Sequence, residues 1–207
     1  QTKELVFNHY HDKSLWGFDS NNCDNTVFLH PGTLGSSKLW APKNWNNLAK
    51  QLLLISQNTS KEEKRLKVTF SGQGDFDLNL FSQITPKHEF NNCINSYSFD
   101  EFAQKLSHCK ILICVDTSTL HLAKLLNINC IVLLGGSIKE RIGTCNYYKN
   151  FNIHYIKSPF YCDYIKNEHC LNCLIKDCKH VSDGYSECMN NLTVESVVQE
   201  VKKILNE

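Results

Sequence analysis

Apolar residues fall into short, dense runs separated by segments with helical spacing. Thr26-Val27-Phe28-Leu29, Leu66 to Phe70, Lys110 to Val115 and Ile128 to Leu134 read as strands, with weaker candidates at Glu89 to Ile94 and Asn152 to Ile156. Between them, Trp45, Leu48, Leu52 and Ile55 recur on one helical face after Pro42, which suits a first helical turn. A second helix is predicted from Asp75 to Ile84. A third opens at the capping box Ser98-Phe99-Asp100-Glu101, with Phe99, Phe102 and Leu106 expected to face inward. A fourth starts at Asp116-Thr117-Ser118 and carries Leu120, Ala123, Leu125 and Leu126. A closing helix runs from Leu192-Thr193 through Val197, Val198, Val201 and Leu205.

The central strands are too apolar to leave one face wet. Strands of that kind alternating with amphipathic helices predict an α/β fold with a doubly wound, Rossmann-like parallel sheet covered on both sides. Ligands in such sheets bind beyond the carboxyl ends of the strands. The loops after Leu29, Phe70, Val115 and Leu134 are therefore where chemistry is expected.

Composition narrows the classes. In 207 residues there are 22 Lys+Arg against 21 Asp+Glu, a balance without the basic excess of a nucleic-acid binder. No apolar run approaches the ~18 residues of a membrane-spanning helix, and no signal peptide is visible. The 11 cysteines are an odd number, so complete internal pairing is impossible. Cys114 and Cys130 lie inside apolar runs, as small buried hydrophobes do, and the compartment reads as reducing. Five cysteines fall in an irregular loop over 158–190. Cys170-x2-Cys173, with Cys178 and Cys188, has spacing compatible with a structural zinc or iron–sulfur site, with disulfides or plain thiols as the alternatives. His9-Tyr10-His11-Asp12 reads as solvated surface.

Two loops have the composition of anion sites. His30 to Trp40 offers small residues for close backbone approach, hydroxyls at Thr33, Ser36 and Ser37, and a point charge at Lys38. It lacks the Gly-Lys-Ser/Thr ending of a Walker A loop. In Asp116-Thr117-Ser118-Thr119-Leu120-His121, Thr117 and Ser118 present amides and hydroxyls at a helix start. Asp116 could cap that helix or accept from sugar hydroxyls. Asp75-Phe76-Asp77 also matches the Asp-x-Asp of metal-dependent GT-A glycosyltransferases, while helix-start acids need no such role.

Taken in order, these blocks resemble the C-terminal half of glycosyltransferase family 9, the ADP-heptose:lipopolysaccharide heptosyltransferases. The resemblance runs from about Val27 to Leu205. It rests on His30-Pro31-Gly32-Thr33 with Lys38-Leu39-Trp40, Ser71-Gly72-Gln73-Gly74-Asp75, the Ser98 capping box, Cys114 to Ala123, and the Gly-ended strand Ile131 to Gly136. It implies a GT-B architecture of two Rossmann-like domains, of which 26–207 would be the nucleotide-sugar-binding one. Residues 1–25 would be a linker and the tail of an absent N-terminal acceptor domain, and the opening Gln1 fits a fragment.

The resemblance also implies roles. Thr33 and Lys38 look like pyrophosphate contacts, with Lys38 stabilising the departing diphosphate. Thr117 and Ser118 look like further phosphate donors. Asp116 would hold sugar hydroxyls with His121 near it, Asp75 would be the acidic ribose contact, and Tyr97 would lie against the base. Lys38 and Asp116 are the implied catalytic residues. The implied partners are an ADP-heptose-like donor, a lipopolysaccharide or lipid-linked glycan acceptor, and the absent domain, with no cofactor. The implied location is the cytoplasm, at the inner face of the membrane. Leu34 in place of a hydroxyl and Ser118 in place of glycine depart from the family pattern.

Overall fold

The structure, a computed structural model, describes residues 24–58, 62, 65–136, 152–160 and 178–206. The His9 to Asp12 cluster, Cys170 and Cys173 lie outside them. In chain order the elements are β1 (Thr26–His30), α1 (Pro42–Gln57), β2 (Lys67–Phe70), α2 (Asp75–Ser82), β3 (Asn91–Asn92), α3 (Phe99–Ser107), β4 (Ile111–Val115), α4 (Ser118–Leu126), β5 (Cys130–Leu134), β6 (Ile153–Lys157), β7 (Val181–Ser182), β8 (Tyr185–Ser186), α5 (Glu187–Asn190) and α6 (Val194–Asn206). Single 3-10 turns occupy Ser36–Lys38 and Lys87–Glu89.

Six strands form one sheet in the order β3-β2-β1-β4-β5-β6, every neighbouring pair parallel. Alternation sends successive side chains to opposite faces. Val27, Leu29, Ile111, Ile113, Val115, Ile131 and Leu133 pack on one face with Trp45, Leu48 and Leu52 of α1 and Val197, Val201 and Ile204 of α6. Phe28, Leu112, Cys114, Cys130 and Val132 pack on the other with Leu106 of α3 and Leu120, Ala123 and Leu126 of α4. Burying both faces is what allows continuous apolar strands. Each fully covered Leu, Ile or Val contributes about 1.5–3 kcal/mol.

The helix signals work as the sequence indicates. Pro42 stands at the start of α1. The Ser98 side chain accepts from the Glu101 amide while Glu101 reaches back to the Ser98 amide, closing the capping box of α3. Four expectations need correcting or completing. Phe99 is 68% exposed, because it stands in the first turn of α3 where that turn lines a cavity. Ile204, not among the expected inward positions, is the buried residue of the last turn of α6, and Leu205 packs partly buried against the same core. Part of the segment expected to be irregular forms a hairpin, β7 paired antiparallel with β8, and runs into α5. The strand expected over 89–94 shrinks to the edge pair Asn91–Asn92.

Asp24 and Asn25, just ahead of β1, are tied to neighbouring segments. The Asp24 amide donates to the His108 carbonyl at 2.8 Å, and the Asn25 carbonyl accepts from Lys67 at 2.9 Å. Among the described residues no helix is long and apolar enough to cross a membrane.

Leu112 sits mid-strand, fully buried between β1 and β5. Leu112→Ala is expected to lower the unfolding free energy by about 2–5 kcal/mol, measured by urea denaturation. A loss below about 1 kcal/mol would mean that this face is not packed as described.

Candidate functional site

The strand order places the topological reversal between β1 and β4. The chain moves outward through β2 and β3, then returns to the far side of β1. At such a point the loops leaving adjacent strands diverge and leave a crevice. Here the loops are His30 to Trp40 and Asp116 to Ser118, and they are tied together. Lys38 Nζ donates to Asp116 Oδ2 at 2.5 Å, and Thr33 Oγ1 donates to the Asp116 carbonyl at 3.1 Å. The Lys38 and Asp116 side chains are only 19% and 15% exposed, so the pair is partly desolvated and less screened than one in open solvent. Thr117, not Asp116, is the N-cap of α4, which leaves the Asp116 carboxylate to the lysine.

The loop bearing Lys38 is fastened from behind. Its turn closes with the Lys38 amide on the Gly35 carbonyl at 2.9 Å. The Ser37 carbonyl accepts from Ser186 Oγ at 2.6 Å, and Trp40 Nε1 donates to the Leu192 carbonyl at 3.1 Å. The Trp40 ring meets Trp45 edge to face at 5.2 Å. A flexible, strongly hydrated ammonium is thus carried on a backbone with little freedom.

Beside this junction opens a cavity of about 640 Å³, reached by the carboxyl ends of β1, β2 and β4 and by the start of α3. Of the residues singled out in the sequence, Thr33, Tyr97, Thr117 and Ser118 line it, whereas Lys38, Asp116 and His121 are not among its lining residues. Tyr97 bonds Cys93 Sγ through its hydroxyl at 3.4 Å. That bond first, then burial, pushes its pKa up to about 12, so it stays a neutral phenol. His121 is exposed on α4, where partial desolvation and then the charge of Lys124 lower its pKa.

Asp75 is exposed in the first turn of α2 and is not among the residues lining the cavity. Asp77, two residues on, is. Asp77 is 3% exposed and lies against two glycines. A Cβ on Gly32 would stand 2.4 Å from its Oδ2, and one on Gly72 would stand 2.2 Å from the same atom. Its Oδ2 accepts from the Gln73 amide at 2.9 Å, while Oδ1 has no hydrogen-bond partner among the described residues. Burial raises its pKa to about 6 against the lowering effect of the Gln73 bond. With Asp75 in solvent and Asp77 wedged between backbones, the two carboxylates do not form a paired cation site. Among the described residues no group of three or more His, Cys, Asp or Glu could hold a metal. Cys178 Sγ lies 3.6 Å from the His180 carbonyl and Cys188 Sγ 3.4 Å from Ser186 Oγ.

A model of glycosyltransferase family 9 (heptosyltransferase) matches residues 8–170. The chain belongs to glycosyltransferase family 9. Solved structures agree on the fold of this family 9 chain. The Escherichia coli ADP-heptose lipopolysaccharide heptosyltransferase II superposes with a TM-score of 0.62 at 16% identity, over 96% of this chain and 50% of that one. A family 9 glycosyltransferase from Veillonella parvula gives 0.61 at 14%, over 99% and 52%. E. coli heptosyltransferase WaaC solved with ADP gives 0.62 at 16%, over 96% and 48%. The chain therefore spans about half the length of the structures it matches. No curated protein matches it by sequence.

Residues missed in the sequence reading are His30, Ser71, Asp77 and Thr119, all lining the cavity from within motifs already singled out. For Asp77 the sign of the pH effect is definite. Its folded-state pKa lies above the ordinary 3.8, so the native state holds the extra proton. Its contribution to stability is full below about pH 4 and is lost as pH rises through about 6. Asp77→Asn is expected to remove that component, on the order of 2 kcal/mol, from the pH dependence of unfolding between pH 4 and 7. An unchanged profile in urea melts would refute the burial described for this carboxyl.

Proposed function

We propose that this family 9 domain binds a nucleotide-diphosphate sugar of the ADP-heptose type in the cavity at the β1–β4 crevice. The carrying observation is that Thr33, Thr117 and Ser118 line this cavity, while Lys38 and Thr33 are both bonded to Asp116 at the junction beside it. A diphosphate needs a cation, hydroxyls and unsatisfied amides within one small volume, and these residues supply them. The ADP bound by a fold relative supports adenine as the base, with Tyr97 against it. Asp75 is not carried forward as the ribose contact, because it faces solvent.

In the proposed reaction the acceptor hydroxyl oxygen attacks the anomeric carbon of the donor. The bond from that carbon to the diphosphate oxygen breaks, and its electron pair leaves with the diphosphate. The hydroxyl proton passes to a base on the acceptor domain of the proposed two-domain architecture. Lys38 neutralises the charge growing on the leaving group, helped by Thr33 and by the Thr117 and Ser118 amides. Asp116 holds the ammonium in register and accepts from sugar hydroxyls, with His121 at the margin. The acceptor would be a lipopolysaccharide or lipid-linked glycan presented at the cytoplasmic membrane surface.

Calorimetric titration of the chain with ADP, UDP and GDP tests the donor reading. ADP is expected to bind most tightly, and equal affinities or no binding would overturn it. Lys38→Ala is expected to weaken ADP binding at least tenfold, about 1.4 kcal/mol, with urea denaturation run alongside to show that the variant is folded at the titration temperature. Unchanged affinity would remove Lys38 from the phosphate site.

A further inference from the structure

Beneath the cavity lies a hydrogen-bonded chain that the proposed reaction does not use. His30, the last residue of β1, reaches Ser71 at the end of β2 through Nδ1 at 3.1 Å. It reaches Thr119 in the first turn of α4 through Nε2 at 3.0 Å. Its ring lies 5.8 Å from that of Phe102 on α3, inclined by 31°. One imidazole at the end of β1 therefore touches side chains from three other places, the end of β2, the first turn of α4 and α3.

The direction of this chain depends on the tautomer of His30. Ser71 Oγ lies 3.5 Å from the Leu29 carbonyl, which can only accept, and the arrangement we infer turns the Ser71 hydroxyl toward it. Ser71 Oγ is then left as an acceptor for a proton on His30 Nδ1. A neutral imidazole protonated at Nδ1 has a bare Nε2, which must accept from the Thr119 hydroxyl. Burial lowers the His30 pKa to about 4, so the ring is neutral at ordinary pH. Thr119 is 6% exposed and follows Thr117 and Ser118 by one or two residues on the turn that faces the cavity.

We propose that His30 is a positioning residue of the donor site: its Nδ1-protonated imidazole locks the Thr119 hydroxyl as a donor and so fixes the first turn of α4 against the ends of β1 and β2. The turn so fixed carries the amides and hydroxyls of Thr117 and Ser118. Rotating it by a fraction of a turn would misdirect them, and phosphate recognition depends on their direction as well as their presence. The role needs an acceptor at Nε2, and ring shape alone does not supply one. The proposal rests on the donor reading for its ligand, but not for its geometry.

Two measurements on the full 207-residue chain test it. Nitrogen-15 NMR of the imidazoles reads the tautomer of His30 without any ligand. A single Nδ1-protonated form is expected, with its Nε2 resonance moved by the isosteric Thr119→Val. The opposite tautomer, or no response to Thr119→Val, overturns the proposal. ADP titration then reads the consequence. His30→Phe keeps a ring against Phe102 but offers no acceptor, and it is expected to bind ADP about five- to tenfold more weakly, the loss that goes with one hydrogen bond. Thr119→Val should match it, and the double variant should be no worse than either. His30→Gln, whose side-chain carbonyl can accept from Thr119, should stay within about twofold of wild type. Equal losses in His30→Phe and His30→Gln, or losses that add in the double variant, would reduce His30 to packing. If wild type fails to bind ADP, the donor reading falls. The tautomer and amide exchange of Thr119 to Leu122, faster in His30→Phe but not in His30→Gln, still decide the role of the histidine.

Discussion

A sheet whose strands are all parallel must be covered on both faces, and this requirement organises everything else in the molecule. Five residues of β4 and five of β5 are buried without exception, so neither strand face can carry a charge or a solvated hydroxyl. Polar chemistry is pushed to the ends of the strands, where backbone groups run out of partners. Because the sheet winds outward in both directions from β1 and β4, the widest opening between loops lies there. The Lys38–Asp116 pair spans that opening. It joins two segments 78 residues apart in sequence and gives the crevice a cation held in place before any ligand arrives.

Two levels can be distinguished at the crevice. The upper one is charged and partly wet: Lys38, Asp116 and the helix-start amides. The lower one is neutral and drier: Ser71, His30 and Thr119 in a line, with Asp77 pressed against Gly32 and Gly72 beside them. The division follows from solvation. A charge at the lower level would lack water and counter-charge, and both titratable groups there have pKa values moved toward the neutral form. The glycines belong to the same arrangement, since any side chain at Gly32 or Gly72 would occupy the space of the Asp77 carboxyl.

What could be read from the sequence was whatever depends on neighbours along the chain. Runs such as Ile111 to Val115 and Cys130 to Leu134 announce buried parallel strands, and Ser98 with Glu101 announces a helix start. The order of the polar loops was enough to indicate the family. What escaped depends on residues far apart in sequence. Asp75 and Asp77 look equivalent as helix-start acids until Gly32, brought from another strand end, covers one and leaves the other in water. Phe99 has the spacing of an inward residue, but its turn lines a cavity. His30 reads as one more loop histidine because its partners, Ser71 and Thr119, are 41 and 89 residues away.

The ties behind the lysine loop bear on how the domain works as a machine. The Ser186 hydroxyl grips the Ser37 carbonyl, and the Trp40 indole grips the Leu192 carbonyl, so the entrance to α6 and the short hairpin before it share a frame with Lys38. The C-terminal stretch thus braces the loop that carries the ammonium as well as covering the sheet, so the placement of the cation depends on residues about 150 positions further along the chain.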